Sequence, residues 1–251
     1  MNISVIIPWT KGTPDRLEGL NILFDCIKRQ TFRDFELILV EMSRDGTSTY
    51  LRYKPDQHIV KFYDGIMSKS WICNVGARAS KTNNLLFIDA DTEFGDTYFS
   101  QVWDFADRFK NKMFLPWDKC MMLEGRDEPT CRQVDAHAMK ACAHVWFVNK
   151  DFYWKIGGMN EKYMGYGAED QDLWERGLHV EKYIPNMPYT LKHTYHHFHP
   201  KDSAYPLNDR RVEQRIETMQ FIDREINWLV RNQNNLGRDN PFLDRSNWGC
   251  D

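Results

Sequence analysis

The chain has 251 residues, of which 42% are hydrophobic and 27% charged, and its net charge is -3. These proportions describe an ordinary globular protein with enough chain for one large domain. They exclude a strongly basic nucleic-acid binder, and without an apolar run of about 18 residues they exclude a membrane-spanning helix. The opening residues lack a basic leader, and their apolar run is too short for a secretory signal, so they are read as a strand. The six cysteines contain no C-x-x-C pair and are read as reduced thiols, which leads to the expectation of a cytoplasmic chain.

In chain order, the apolar run 3–7 predicts a strand buried on both faces. Thr13, Pro14 and Asp15 form a helix-start signature, and Leu17, Leu20, Phe24 and Ile27 continue it at helical spacing. A second strand is predicted over 35–40, ending at Glu41, and a weaker third over 59–63. Residues 70–79 read as a helix, with Ile72, Val75 and Ala79 on one side and Asn74 and Arg78 four apart on another. The run 85–88 is a fourth strand and leads directly into Asp89-Ala90-Asp91. This alternation predicts an α/β sheet with parallel strands. Further on, 113–116 and 144–148 read as strands and 124–135 as a polar loop. Gly157 and Gly158 break the chain, as do Gly165 and Gly167. Leu173 and Trp174 begin a short helix ending near Gly177, and Val212, Ile216, Met219, Ile226 and Leu229 mark a long amphipathic helix. The expected organisation is a catalytic domain over 1–205, with a nucleotide half (1–100) and an acceptor half (101–205), followed by a C-terminal helix and tail over 206–251.

Three groups of residues carry possible chemistry. Asp89 and Asp91 stand at a strand end, where open α/β sheets bind ligands, and such a pair can hold a divalent cation and through it a diphosphate. A solvated turn reads equally well from the D-x-D alone. Glu169 and Asp170 follow the glycine-rich segment 165–167 at a helix N-terminus; a well-capped helix is the plain alternative. His193, His196, His197 and His199 place half of the eight histidines within seven residues, a better claim to metal than any lone histidine has. No cysteine spacing supports structural zinc, and one histidine joining Asp91 on a cation is the more economical reading.

In order along residues 3–200, these segments resemble a family 2 type glycosyltransferase with the GT-A fold, a mixed α/β sheet flanked by helices. The resemblance rests on 5–8 (first strand), 35–41 (second strand with its terminal acid), 74–78 (N-x-G-x-x), 86–91 (the D-x-D strand) and 157–161 (Gly-Gly-Met-Asn-Glu). Residues 164–173 are similar to the "GWGGEDDDL" segment of the β-1,4-galactosyltransferase and chondroitin-synthase-like branch, and 195–200 to its "HLWHP" segment. The sequence departs from the pattern at Trp9-Thr10-Lys11, where an arginine-bearing turn is usual, and at Ala168 and Gln171.

The resemblance implies a metal-dependent, inverting transfer of a sugar from a nucleotide-sugar, a UDP-sugar, to a saccharide or other hydroxyl acceptor. It implies Asp170 as general base with Glu169 orienting a sugar. Pro8, Trp9, Glu41, Asn74, Arg78, Asp89 and Asp91 would face the donor, and Asp91 with His196 or His199 would hold Mn2+ or Mg2+. Trp71, Trp146 and Tyr166 are candidate stacking surfaces, each more often core than ligand. A phage-type enzyme glycosylating hydroxymethylated DNA, with the arginines of the C-terminal helix on phosphates, remains open, although the interleaved acids there favour a self-paired face. A nucleotidyltransferase is disfavoured because Gly12 stands alone, and a non-catalytic sugar- or zinc-binding protein because all four acids are present in one chain. A soluble bacterial or phage enzyme without a membrane anchor is the expected setting.

Overall fold

Pro8 marks how the sheet is built. The first strand, β1 (Ile3–Thr10), is buried along its whole length and pairs in parallel with β2 (Phe35–Ser43). On its other side it meets β4 (Asn84–Ile88) only over Ser4 to Ile6. A proline, which has no N–H to give, is therefore placed where β1 has outrun that neighbour. The strand β3 (Gln57–Phe62) extends the sheet beyond β2 in parallel, while β9 (Val145–Asn149) pairs antiparallel with β4, and β6 (Met113–Phe114) closes that edge. The order β3-β2-β1-β4-β9-β6 makes a mixed sheet in which the chain reverses its direction of growth between β1 and β4. Such a reversal opens a crevice beyond the carboxyl ends of the two strands.

The computed structural model describes residues 1–11, 14–46, 48–63, 65–110, 112–117, 119–123, 131–135, 144–165, 169–181 and 194–197. Thr13, Tyr166, His193, His199 and the C-terminal segment 206–251, where an arginine-bearing helix is expected, lie outside them. Helices α1 (Pro14–Arg29) and α2 (Lys69–Ala79) connect the first strands, and α2 packs on β1 and β2. Ser68 caps α2 by accepting a hydrogen bond from the Trp71 backbone N–H. Two helices were not anticipated: α3 (Tyr98–Phe109), which buries Tyr98, Phe99, Val102 and Ala106, and the short α4 (Lys150–Lys155), capped by Asn149. Trp146 is core, stacked on Phe87 at 4.1 Å. Cys26, Cys73 and Cys120 are buried. No described helix is long and apolar enough to cross a membrane.

A second, four-stranded sheet follows the order β5-β10-β7-β8, from β5 (Thr92–Glu93), β7 (Lys119–Leu123), β8 (Cys131–Asp135) and β10 (Thr194–His196). The expected loop over 124–135 is thus a strand in its last five residues, because β8 finds β7 as an antiparallel partner. The helix expected from Leu173 to Gly177 is instead α5 (Glu169–Glu181). It runs through Gly177 because Arg176, fully buried, binds Asp172 one turn earlier and donates to the Ile156 carbonyl.

Gly157 and Gly158 both adopt positive φ, 90° and 63°, turning the chain out of α4. A Cβ on Gly158 would lie 2.9 Å from Asn74 Oδ1 and from the Trp154 ring. Gly158→Ala is expected to lower stability by about 2 kcal/mol through left-handed strain and this clash, read as a lower urea midpoint at unchanged slope.

Candidate active site

β4 ends at Ile88, and the next residues turn at once. Thr92 N–H donates to the Asp89 carbonyl at 3.2 Å, so Asp89 and Asp91 leave the strand end in different directions. Helix α2 points its N-terminus at the same crevice because it runs antiparallel to the strands. Its first residue, Lys69, places Nζ 2.8 Å from Asp89 Oδ1. The same ammonium lies 3.4 Å from Asp170 Oδ2 and 3.9 Å from Glu169 Oε1. The start of α5 is held there by its approach segment: Gly165 N–H donates to the Met67 carbonyl at 2.7 Å, and Ser68 Oγ to the Tyr163 carbonyl at 3.1 Å. One acid from the end of β4 and two from α5 thus meet on the Lys69 ammonium at one crevice.

The charges in it are unbalanced. Burial pushes the Asp170 carboxyl well above the usual carboxylate range; Lys69 opposes this, while Glu169 and Asp89 add to it. Asp89 is raised for the same first reason, with Lys69 pulling it down and Asp91 pushing it up. Asp170 Oδ1 and Glu169 Oε2 are buried and have no hydrogen-bond partner among the described residues. Buried acceptors left in this way are costly unless a ligand completes them.

Asp91 faces the second sheet. The antiparallel register of β10 on β5 sets His196 beside Thr92, and His197 N–H donates to the Asp91 carbonyl at 2.8 Å. His196 Nε2 stands 3.4 Å from Asp91 Oδ1, whereas the His197 ring turns to Glu93 at 2.8 Å. Adjacent ligands of an octahedral cation with bonds of about 2.1 Å stand about 3 Å apart, so the oxygen and nitrogen of this pair fit one divalent ion. Among the described residues no group of three His, Cys, Asp or Glu is placed to hold a metal. A site of two protein donors suits a cation that takes its remaining ligands from phosphate and water. α1 comes close here: a Cβ on Gly19 would lie 3.4 Å from Asp91 Cα.

The other residues expected at the donor stand on β1, β2 and α2. Trp9 is 2% exposed at the end of β1, and its indole N–H has no hydrogen-bond partner among the described residues. Pro8 is buried beside it. Glu41 is not at the strand end, because β2 continues to Ser43; its buried carboxylate accepts from Thr49 N–H and Oγ and pairs with His58 at 2.7 Å. Asn74 is fully buried, and its amide is fully used within the chain. Arg78 lies in the last turn of α2, its guanidinium 4.6 Å over the Trp154 ring. Nine residues of helix put it about 13 Å along the axis from Lys69, away from the crevice. Trp71 is half-buried, with its ring 6.0 Å from that of Tyr63.

Two contributors were missed by sequence reasoning. Lys69 is one; a cation at the first position of a helix, against the dipole, was its signal. His144 is the other. Its carbonyl accepts from Asp89 N–H at 2.8 Å and its Nε2 pairs with Thr194 Oγ at 2.7 Å, so one residue joins the D-x-D turn to the strand bearing His196.

Burial, reinforced by the neighbouring His196, lowers His144 from 6.5 to about 3. Between these values the unfolded chain binds a proton that the folded chain refuses. Stability therefore falls as pH drops below 6.5, by about 1.4 kcal/mol per unit from this group, and the loss levels off near 3. His144→Gln is expected to remove this component. Denaturant unfolding of both proteins between pH 7 and about 4 should show the wild type losing stability faster by roughly that slope.

A family model described as the N-terminal domain of galactosyltransferase matches residues 133–200, the stretch containing the double glycine, Glu169-Asp170 and the histidine cluster. No curated protein sequence matches the chain significantly. Among solved structures, S. aureus TarS 1–349 in complex with UDP-GlcNAc is similar, with a TM-score of 0.65 and 17% identity over 98% of this chain and 73% of that one. The same protein in complex with UDP gives 0.61 and 17% over 88% and 64%. A longer TarS gives 0.59 and 16%; there 90% of this chain is covered but only 39% of the TarS chain. The chain has the GT-A fold, and both kinds of likeness lead to glycosyltransferases.

Proposed function

We propose that the chain transfers a sugar from a UDP-sugar to a hydroxyl acceptor, with inversion at the anomeric carbon and Asp170 as the general base. The observation that carries this reading is the meeting of Asp89, Glu169 and Asp170 on Lys69 at the crevice between β1 and β4, with Asp91 facing His196 beside it. The UDP-sugar donor is supported by the likeness to a structure that contains UDP-GlcNAc. A saccharide is the favoured acceptor, because acids interleave with the arginines of segment 206–251 that a DNA acceptor would need.

The acceptor hydroxyl gives its proton to Asp170 as its oxygen bonds to the anomeric carbon. The bond from that carbon to the diphosphate oxygen breaks on the opposite face, and UDP leaves. Burial raises the proton affinity of Asp170, the adjustment that a base working near neutral pH requires, and such a base contributes roughly 10²- to 10⁴-fold in rate. Glu169, with one oxygen that has no hydrogen-bond partner among the described residues, would accept from a sugar hydroxyl. Trp9 has a buried N–H to offer at the end of β1, and Asp89 would meet the ribose. Glu41 and Asn74 act on the donor site through the segments they hold. Asp91 and His196, with His199 as a further candidate, would hold Mn2+ or Mg2+, which would supply a Lewis acid for the charge on the leaving diphosphate.

Nucleotide release from a panel of nucleotide-sugars, with Mn2+, with Mg2+ and with EDTA, is the test. Release from a UDP-sugar is expected, abolished by EDTA and by Asp91→Ala. Asp170→Asn should lower turnover by about 100-fold or more while UDP binding persists. A protein that releases nucleotide from no donor, and whose melting temperature UDP with Mn2+ does not raise, would sink the reading.

A further inference from the structure

Lys69 occupies the first position of α2, where a cation opposes the helix dipole, and no acid offsets it in that turn. Only 15% of its side chain is exposed. A buried ammonium in such a place needs strong partners, and it finds them on two other elements. Asp89, from the end of β4, lies at 2.8 Å, and Asp170 and Glu169, from the start of α5, lie at 3.4 and 3.9 Å. The contact to Asp170 is made through Oδ2. The other oxygen, Oδ1, is buried and has no hydrogen-bond partner among the described residues.

We infer that Lys69 is the positioning residue of the base: it holds Asp170 through Oδ2 and thereby presents Oδ1 to the acceptor hydroxyl. The inference rests on the glycosyl-transfer reading and adds to it the residue that orients the base. In the step itself the acceptor proton passes to Oδ1, the acceptor oxygen bonds to the anomeric carbon, and the electron pair of the broken bond leaves with UDP. Lys69 neither gives nor takes a proton. Burial lowers its pKa, but Asp170, Asp89 and Glu169 together hold it well above its ordinary value, so it stays charged.

The ammonium has a second effect on the same carboxylate. Asp170 is faced by Lys69 from α2, by Glu169 from its own helix and by Asp89 from the strand end. Cys73, one turn below Lys69, is a thiol that burial keeps neutral. Lys69 is the cation in that group, and the one member that favours the ionised base. Because it also grips Asp89, it sets the acceptor-side helix at a fixed distance from the donor-side strand.

The test compares the full chain with Lys69→Met and Lys69→Arg. It reads kcat, donor KM, the pH profile of nucleotide release, and the carboxyl titration of Asp170 by carbon-13 NMR, assigned through its loss in Asp170→Asn. Lys69→Met is expected to lower kcat by about 10-fold or more with a smaller change in donor KM. It should also move both the acid limb of the profile and the Asp170 titration upward by about one pH unit or more. Lys69→Arg, which keeps the charge, should return both most of the way. Should Lys69→Met not fold, Lys69→Gln takes its place and reads the same shifts. An unmoved acid limb and an unmoved Asp170 titration would overturn the assignment to Lys69 whatever happens to kcat. A wild-type chain that turns over no donor, and whose melting temperature UDP with Mn2+ does not raise, would instead overturn the glycosyl-transfer reading on which it rests.

Discussion

The side-chain amide of Asn74 closes four hydrogen bonds inside the chain. Its nitrogen donates to the Met159 carbonyl at 2.8 Å and to Glu161 at 2.7 Å; its oxygen accepts from Met159 N–H at 3.0 Å and from the Tyr153 hydroxyl. An amide has no further capacity. The bonds fasten the middle of α2 to the chain leaving α4, and the double glycine is required there because a side chain at Gly158 would strike Asn74 itself. From Met159 the chain runs to Tyr163 and Gly165, which bond back to Ser68 and Met67 at the start of the same helix. Helix α2 is thus the ruler for both ends of this segment. The base-bearing helix α5 begins four residues later, at a position the ruler sets. Each of those bonds, left half-made in the interior, would cost about 1–3 kcal/mol, which makes the alternatives to this geometry expensive.

Around that frame the electrostatics are deliberately incomplete. Lys69 offsets one of the three acids it touches, and burial pushes Asp170 well above, and Asp89 above, the ordinary carboxylate value. Structural carboxylates in this chain are treated differently. Asp172 is met by the fully buried Arg176, and Glu41 by His58 and Thr49. The contrast lies in the charge, since Asp172 Oδ1 is also buried without a hydrogen-bond partner among the described residues, and perturbed acids lining a crevice mark functional sites more often than structural ones.

Much of the first half was legible because its signals are long and local. The apolar runs 3–7, 35–40 and 85–88 can only be buried strands, and the D-x-D following the last of them was placed at a strand end on that ground alone. The second sheet was not legible, since strands as short as Thr92–Glu93 and Thr194–His196 carry no periodicity and exist only through partners distant in sequence. Asn74 was legible as important but not in kind: sequence spacing gave a helix face, while burial under Gly158 made it a brace. Arg78 shows the same limit, since four residues along a helix keep a side but not an end. α3 was readable and overlooked; Tyr98, Phe99, Val102 and Ala106 repeat at helical spacing.

The i, i+2 spacing of Asp89 and Asp91 acquires its meaning from the turn. On a continuing strand these carboxylates would project to one face, side by side, and repel. The hydrogen bond from Thr92 N–H to the Asp89 carbonyl stops the strand and divides their tasks. Asp89 turns to Lys69 and so to the base on α5, and Asp91 turns to His196 on β10. Thr92 then enters the second sheet directly, so the strand that carries His196 is registered on the residue next to Asp91. His144 fastens both halves, accepting from Asp89 N–H and pairing with Thr194. A five-residue stretch, 89–93, therefore couples the base to the cation-binding pair through its backbone, ion pairs and hydrogen bonds, and a shift in either sheet would be felt at both.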